Sequence, residues 1–490
     1  MWSRMLAGNH QDSRLLIGGA GLFLLTLLTS YFFNQWILLA VPVLILLGVL
    51  VILYPKLVYF SLFALIPFST EIKLPGGLGL DFPGEPLMLV FTGLVFLLAI
   101  EHLRKWDVGM FYNSLTIVLL TVFAWSIITT LFSAEPIISV KYLAAKLWYI
   151  VPFYFGTLIV YQRNVTGFRP LIKLAVATTV IATSYVLVRH AGLGFDFKLV
   201  NKAVRPIFRN HVTYGALLVL ILPYLLYLWK TSKHPLKLAI YGALLMLFGL
   251  AIFTTYTRAA YVCVLGIAAG YMMIRLKLTT LTIIVALLIS TIGVSYLVHD
   301  NKFLDFAPDY ERTISHTNID NLMEATVKGE DVSTMERVHR WVAGMRMAAD
   351  RPLVGFGPGA FYESYVPYTL SSFQTYVSDN PEKSGIHNYY LMTSVEQGIP
   401  GLILFLILTI LPLILATRAY HQLHNRELKA LVMAAALSLI SIDLLLLIND
   451  LLEADKVGSY YYLSIAIITL CSVVAGRQSH KSKQAITEEV

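Results

Sequence analysis

Apolar runs of close to bilayer length recur along nearly the whole chain, separated by short polar or Gly/Pro-containing breaks. A hydrocarbon core of roughly 30 Å takes about 20 apolar residues per helix, so each run predicts a spanning or membrane-embedded helix. About fourteen are expected, at 15–33, 36–54, 57–69, 86–100, 114–132, 146–161, 171–190, 212–228, 238–255, 258–274, 279–298, 389–416, 430–448 and 459–475. The runs at 57–69, 86–100 and 258–274 are short for a full crossing and suit tilted, re-entrant or bundle-internal helices, which leaves about twelve as the lower figure. The expected fold is an all-α polytopic integral membrane protein of about 12–14 transmembrane helices. It divides into an N-terminal bundle at 1–298, one large, partly helical loop at 299–388, and C-terminal helices with a tail at 389–490.

Composition agrees with that class. Hydrophobic residues make up 57% of the chain and charged residues 13%, against about 25% charged in soluble domains. The net charge of +8 does not point to nucleic acid, because most basic residues lie at one set of helix ends. Arg4, Arg14, Lys56, Arg104, Lys105, Arg163, Arg169, Lys230, Lys233, Lys237, Arg275, Lys277, Arg418, Arg426, Lys429 and the tail from Arg477 to Lys483 all fall on one side of the predicted topology. Positive charge close to helix ends is retained in the cytoplasm, which predicts cytoplasmic termini. The first apolar run is as long as a full span and lacks a small-residue cleavage site, so it reads as an uncleaved helix. Cys263 and Cys471 lie in apolar runs far apart in sequence and read as small buried hydrophobes, with no disulfide framework.

Cations on the opposite, outward side need another cause. Four outward segments stand out: 71–86, 133–146, 192–211 and the large loop. The second half of the third reads DFKLVNKAVRPIFRNH, which sets Lys198, Lys202, Arg205 and Arg209 against the single acid Asp196. A solvated loop with snorkelling side chains is the bland reading. Anion binding is the sharper one, since arginine's planar fork matches phosphate oxygens. In TTYTRAAYV, Arg258 sits between two apolar runs with Thr254, Thr255, Thr257 and Tyr261 close by. A charge so embedded faces a cavity or a partner, or else anchors a helix boundary.

Inside the large loop, Ser333 followed by Glu336 forms a capping-box pattern and Pro352 ends what begins there, predicting a helix over about 334–350. Met335, Val338, Val342, Met345 and Ala349 form its expected packing stripe, and Arg337 and Arg340 project together elsewhere. The glycine-rich RPLVGFGPGAF that follows lacks the Lys-Ser/Thr pair of a nucleotide loop and reads as a structural turn. His387 closes the loop where hydrophobicity resumes. A lone histidine is more often structural, but an imidazole can take a proton near neutrality, and this one stands at the membrane surface after an arginine-rich loop. There is no HExxH, no paired CxxC and no clustered acidic triplet on the outward side, so metal-independent chemistry without a cofactor is expected.

These pieces resemble a known block. RVHRWVAGMRMAADRPLVGFGPGAF followed by HNYYLMTSVEQGIPGLILF is similar to the central block of the O-antigen ligase and polymerase superfamily of bacterial membrane glycosyltransferases, with TTYTRAAYV and RPIFRNH as upstream elements. The resemblance covers about residues 200–415. It implies transfer of a glycan from an undecaprenyl diphosphate carrier to an acceptor hydroxyl, with inversion, at the periplasmic face of the bacterial inner membrane. It also implies His387 as general base and Arg205, Arg209 and Arg258 as diphosphate ligands, with Arg337 a weaker counterpart. The acceptor expected for a ligase is a lipid A core sugar. A polymerase or a protein O-oligosaccharyltransferase would use the same block. A flippase for lipid-linked oligosaccharide is the alternative from another class, although matching half-sequences are lacking.

Overall fold

The structure is a computed structural model that describes residues 10–32, 42, 54–73, 79–102, 111–306, 332–374, 378, 380 and 384–488. The expected run at 36–54 lies almost entirely outside these. The helices are α1 (His10–Phe32), α2 (Pro55–Leu65), α3 (Gly84–His102), α4 (Ser114–Leu131), α5 (Pro136–Ile150), α6 (Arg169–Gly192), α7 (His211–Thr231), α8 (Pro235–Thr254), α9 (Arg258–Arg275), α10 (Thr279–Val298), α11 (Val332–Asp350), α12 (Tyr389–Gln422), α13 (Arg426–Leu446) and α14 (Asp455–Glu488). Among the described residues, ten helical segments are long and apolar enough to cross a membrane, and three shorter apolar helices accompany them. The protein is an all-α polytopic membrane protein.

Helix starts follow local chemistry. Asn113, Asn210, Asn388 and Asn425 each stand before a helix and accept from backbone N–H groups of its first turn, for example Leu391 N to Asn388 Oδ1 at 2.9 Å. Inside a bilayer such unpaired first-turn donors are costly, so the caps set where the spans can begin. Pro136 sits in the first turn of α5, ten residues ahead of the expected start at 146. The helix therefore continues from Pro136 through a π-helical turn at Val151–Gly156 to Tyr161.

The core is formed by α7, α13 and α14. In the most apolar window of α14, 83% of residues are buried within the protein, whereas in α10 none are. Lipid must cover α10, which is held at its start by the Thr279–Thr417 hydroxyl pair at 2.7 Å. That contact belongs to one end of the bundle, together with Tyr227 donating to Glu427 at 2.9 Å and Arg169 3.7 Å from the same carboxylate. The other end gathers the starts of α5, α7, α9, α12 and α14 with the ends of α4, α6, α8 and α13. A hairpin caps it: β1 (Thr70–Lys73) pairs antiparallel with β2 (Gly79–Phe82), with Glu71 opposite Asp81.

In the large loop, α11 begins at Val332, just before the expected cap Ser333. Its buried side is rotated from the expected stripe. Met335, Val342, Ala343 and Met347 are buried, but so are Glu336, His339 and Arg340, whereas Ala349 is exposed. Arg340 faces inward here because the neighbouring extended segment presents a carbonyl that needs a donor.

Candidate functional site

That extended segment is 384–388, and it ends in His387. Trp341 Nε1 donates to the Ile386 carbonyl at 3.1 Å, and the Arg340 guanidinium donates to the Gly385 carbonyl at 3.3 Å. On its other side Asn388 caps α12. Between these fixed points His387 takes a left-handed backbone, φ 57°. A non-glycine residue there costs about 1–3 kcal/mol, and such conformations persist only when their surroundings over-determine them.

The imidazole is partly exposed, and its Nδ1 lies 3.5 Å from Asp450 Oδ1. Asp450 sits on the turn between α13 and α14. It can approach because position 385 is glycine: a Cβ there would stand 1.9 Å from Asp450 Oδ2. Burial alone would push the Asp450 carboxyl up, but His387 and backbone N–H groups around it more than offset this and hold it below the usual carboxylate range. The pair is therefore arranged with Nδ1 toward the acid, leaving Nε2 as the nitrogen for a substrate proton.

The first turns of α12 are braced from two sides. Gly398 breaks the helix with φ 71° and ψ −179°, a conformation restricted to glycine, and the Leu353 carbonyl fills the space a Cβ would need. The glycine-rich loop enters at this break: Phe356 N donates to Val395 O at 3.0 Å and Gly357 N to Glu396 O at 2.9 Å. From the opposite side Trp125 Nε1 donates to Gln397 O at 2.9 Å. RPLVGFGPGAF thus satisfies the carbonyls that the helix break exposes, and docks against the turn from α4 into α5, where Ala134 N donates to Phe356 O at 2.8 Å and Ser139 Oγ to Pro358 O at 2.7 Å.

Below Asp450, the same turn places Glu453 against α5 and α12. Tyr142 donates a short hydrogen bond to Glu453 Oε1, Tyr389 donates to the same oxygen at 2.5 Å, and Tyr149 donates to the Glu453 carbonyl at 2.7 Å. Burial pushes the Glu453 carboxyl up, and buried Lys146 partly counters it. Tyr142, Lys146 and Tyr149 fall on one face of α5 at helical spacing. None of these residues was singled out from sequence. The signal was available: two spans after His387 the chain returns to the same end, so the polar break at 449–456 had to lie beside it.

That break also corrects the search for acids, since Asp450, Glu453 and Asp455 follow one another there. They go to different partners: His387, the two tyrosines, and Lys456, whose Nζ is 3.4 Å from Asp455 Oδ1. Among the described residues, no group of three or more His, Cys, Asp or Glu side chains could hold a metal ion.

The expected anion ligands lie at the same end. Arg209 is exposed and 3.9 Å from Glu71 of the hairpin. Arg205 is exposed, and its carbonyl accepts a short hydrogen bond from Arg189, which also donates to the Lys202 carbonyl at 3.1 Å. Arg189 was not anticipated from sequence, yet it clamps the cationic segment. Arg258 is the first residue of α9 and half-buried, and Thr257 beside it donates to the His211 carbonyl at 3.3 Å. The Arg205–His211 segment and the α9 start are therefore joined. They meet the Asp450 turn through Lys456, whose Nζ donates to Ser69 O at 2.5 Å and stands 5.7 Å from the Phe208 ring centre. Arg337 lies half-buried on α11, away from this junction in sequence and element. The α11 arginine that touches the His387 segment is Arg340, which pairs with Glu336 at 3.2 Å.

Residues 242–406 match the family model described as O-antigen ligase. The match runs from α8 into α12 and includes Arg258, Arg337 and His387. Arg205, Arg209 and Asp450 fall outside it. A search of curated proteins returned no match. The matched domain supports an enzyme of the general O-antigen ligase or polymerase kind, with lipid-linked glycan and lipid acceptor substrates in general.

Proposed function

From the premise that residues 242–406 carry the domain of the O-antigen ligase and polymerase superfamily, we propose that the chain is an O-antigen ligase. In this reading it moves a glycan from undecaprenyl diphosphate to a lipid A core sugar hydroxyl at the periplasmic face of the inner membrane, with both termini cytoplasmic. The observation that carries the proposal is the His387–Asp450 pair, held on a strained backbone at the end of the bundle that also bears Arg205, Arg209 and Arg258. The sidedness is supported by the basic residues at the other end, where Lys230, Arg275, Arg418 and Arg426 cluster.

The chemistry follows from the groups present. The acceptor hydroxyl gives its proton to His387 Nε2 as its oxygen attacks the anomeric carbon. The bond from that carbon to the diphosphate oxygen breaks, and the configuration inverts. Asp450 orients the ring and stabilises the imidazolium that forms. Arg205, Arg209 and Arg258 receive the charge growing on the departing diphosphate, with Arg337 in a lesser role. The carrier diphosphate leaves without a protonated acid. No metal or cofactor enters the scheme.

A positioned base contributes about 10² to 10⁴ in rate, so His387→Ala is expected to insert normally and to lose transfer by that factor when purified protein is given carrier-linked glycan and acceptor. Wild-type transfer by this variant would eliminate the base. Transfer without any ion gradient separates the enzyme from a flippase. Deletion in the source bacterium, followed by gel analysis of its lipopolysaccharide, separates the acceptors. Core-only lipopolysaccharide with accumulated carrier-linked polymer identifies a ligase, and core capped by one repeat identifies a polymerase. Unchanged lipopolysaccharide with a missing protein glycan identifies a protein O-oligosaccharyltransferase.

A further inference from the structure

Two chain segments meet at the site, and they meet twice. The first carries His387 and, two residues on, Tyr389. The second carries Asp450 and, three residues on, Glu453. His387 faces Asp450 at 3.5 Å, and Tyr389 donates to Glu453 at 2.5 Å. The second contact is the stronger by geometry, since it is shorter and shared with Tyr142, whose hydroxyl lies 3.1 Å from that of Tyr389. The first is partly exposed and longer.

Resting on the reading of His387 as base, we propose that Glu453 is a positioning residue: by tying its turn to Tyr389 and to Tyr142 of α5, it sets the distance between Asp450 and His387. Three observations support this. The turn from Leu447 to Ala454 has no regular element of its own to hold it in place. Its side-chain and carbonyl anchors at Glu453 all come from tyrosines on packed helices, because Tyr149 holds the Glu453 carbonyl at 2.7 Å. The hydroxyls of Tyr142 and Tyr389 also meet each other at 3.1 Å, so α5 and α12 are joined at the point where both hold Glu453. Both tyrosine hydroxyls donate to the Oε1 of Glu453, which fixes that oxygen in the turn.

The test uses the full-length protein in detergent or nanodiscs with a lipid-diphosphate-linked glycan and an acceptor, measuring kcat and donor KM. Displacing a catalytic group by about 1 Å costs on the order of 10²-fold, so Glu453→Ala is expected to lose kcat by about that factor with donor KM nearly unchanged. Glu453→Gln keeps an acceptor oxygen for the tyrosines and is expected to recover most of the loss. Combining Glu453→Ala with Asp450→Asn should be no worse than Asp450→Asn alone, because both act through the same contact. Tyr389→Phe, which removes one donor without leaving a large cavity, should lower kcat by a smaller factor and covers the case in which Glu453→Ala fails to fold. The proposal is overturned if His387→Ala is inactive while folded Glu453→Ala or Tyr389→Phe turns over like wild type. It is equally overturned if the loss appears in donor KM, or if the paired substitutions multiply. Activity surviving in His387→Ala instead removes the underlying base and the proposal together.

Discussion

Two arginine-bearing regions approach the same end of the bundle and are built in opposite ways. In the segment before α7, Arg205 and Arg209 are exposed, and Arg209 makes a long contact of 3.9 Å with an exposed carboxylate. On α11, Arg340 is buried, pairs with Glu336 at 3.2 Å and donates to the Gly385 carbonyl. The first arrangement leaves guanidinium forks for a ligand; the second spends one on architecture. Proximity to His387 along the chain is thus a poor guide to which arginine serves the substrate. What separates them is whether protein groups already engage the fork, as Glu336 and the Gly385 carbonyl do for Arg340.

The largest expected effect that tests this contrast is on stability. Arg340→Ala takes the paired cation from buried Glu336, which keeps its hydrogen bond from Ser378 Oγ at 2.6 Å, and breaking a buried pair this way costs about 3–5 kcal/mol. The variant should lose thermal stability and yield in detergent. An unchanged melting temperature with selective loss of donor binding would reverse the two roles. Next, Arg258→Lys and Arg209→Lys keep the charge and lose the fork, so each should raise donor KM by about 1.5–3 kcal/mol in binding terms, and exposed Arg209→Lys should leave the melting temperature in place. Equal donor affinity in both variants would return these residues to the status of interfacial anchors.

A smaller effect with the opposite sign is expected at Glu71. Its exposed pair with Arg209 is worth about 0.2–1 kcal/mol, and the carboxylate competes with a diphosphate for the same cation, so Glu71→Gln should tighten donor binding slightly. Weaker binding would mean that Glu71 orients Arg209 for the ligand. A pH-dependent effect is expected on the other strand of the hairpin. Burial, with Asp455 nearby, pushes the Asp81 carboxyl up to about 6. Because the folded state holds this proton more tightly than the unfolded chain, the associated stability is fully present below the ordinary carboxylate value and lost as pH rises through about 6. Asp81→Asn should flatten the stability profile between about pH 4 and 6, measured by thermal unfolding; an identical slope in both proteins would contradict the burial assignment.

Much of the fold could be read from the chain before any coordinates. Bilayer thickness converts an apolar run into a helix with little ambiguity, so α4, α6, α7, α9, α10 and α13 begin and end within a few residues of their expected bounds. Failures came where a helix carries polar residues that tertiary partners satisfy. The start of α5 was placed too late because Lys141 and Lys146 look like loop residues until the Glu453 carboxylate opposite Lys146 is known. The buried face of α11 was assigned to apolar positions because nothing local reveals that the carbonyls of Gly385 and Ile386 need Arg340 and Trp341. His387, Arg205, Arg209 and Arg258 were legible as polar residues in places where the membrane makes them costly.

The sequence by itself determined the membrane class, the bounds of most spans, and His387 as the candidate base, because transfer energies and caps act within one segment. Asp450, Glu453 and the tyrosines that hold them came only from the tertiary structure. Their significance lies in distances between segments roughly 60 to 310 residues apart, and helix packing sets those distances.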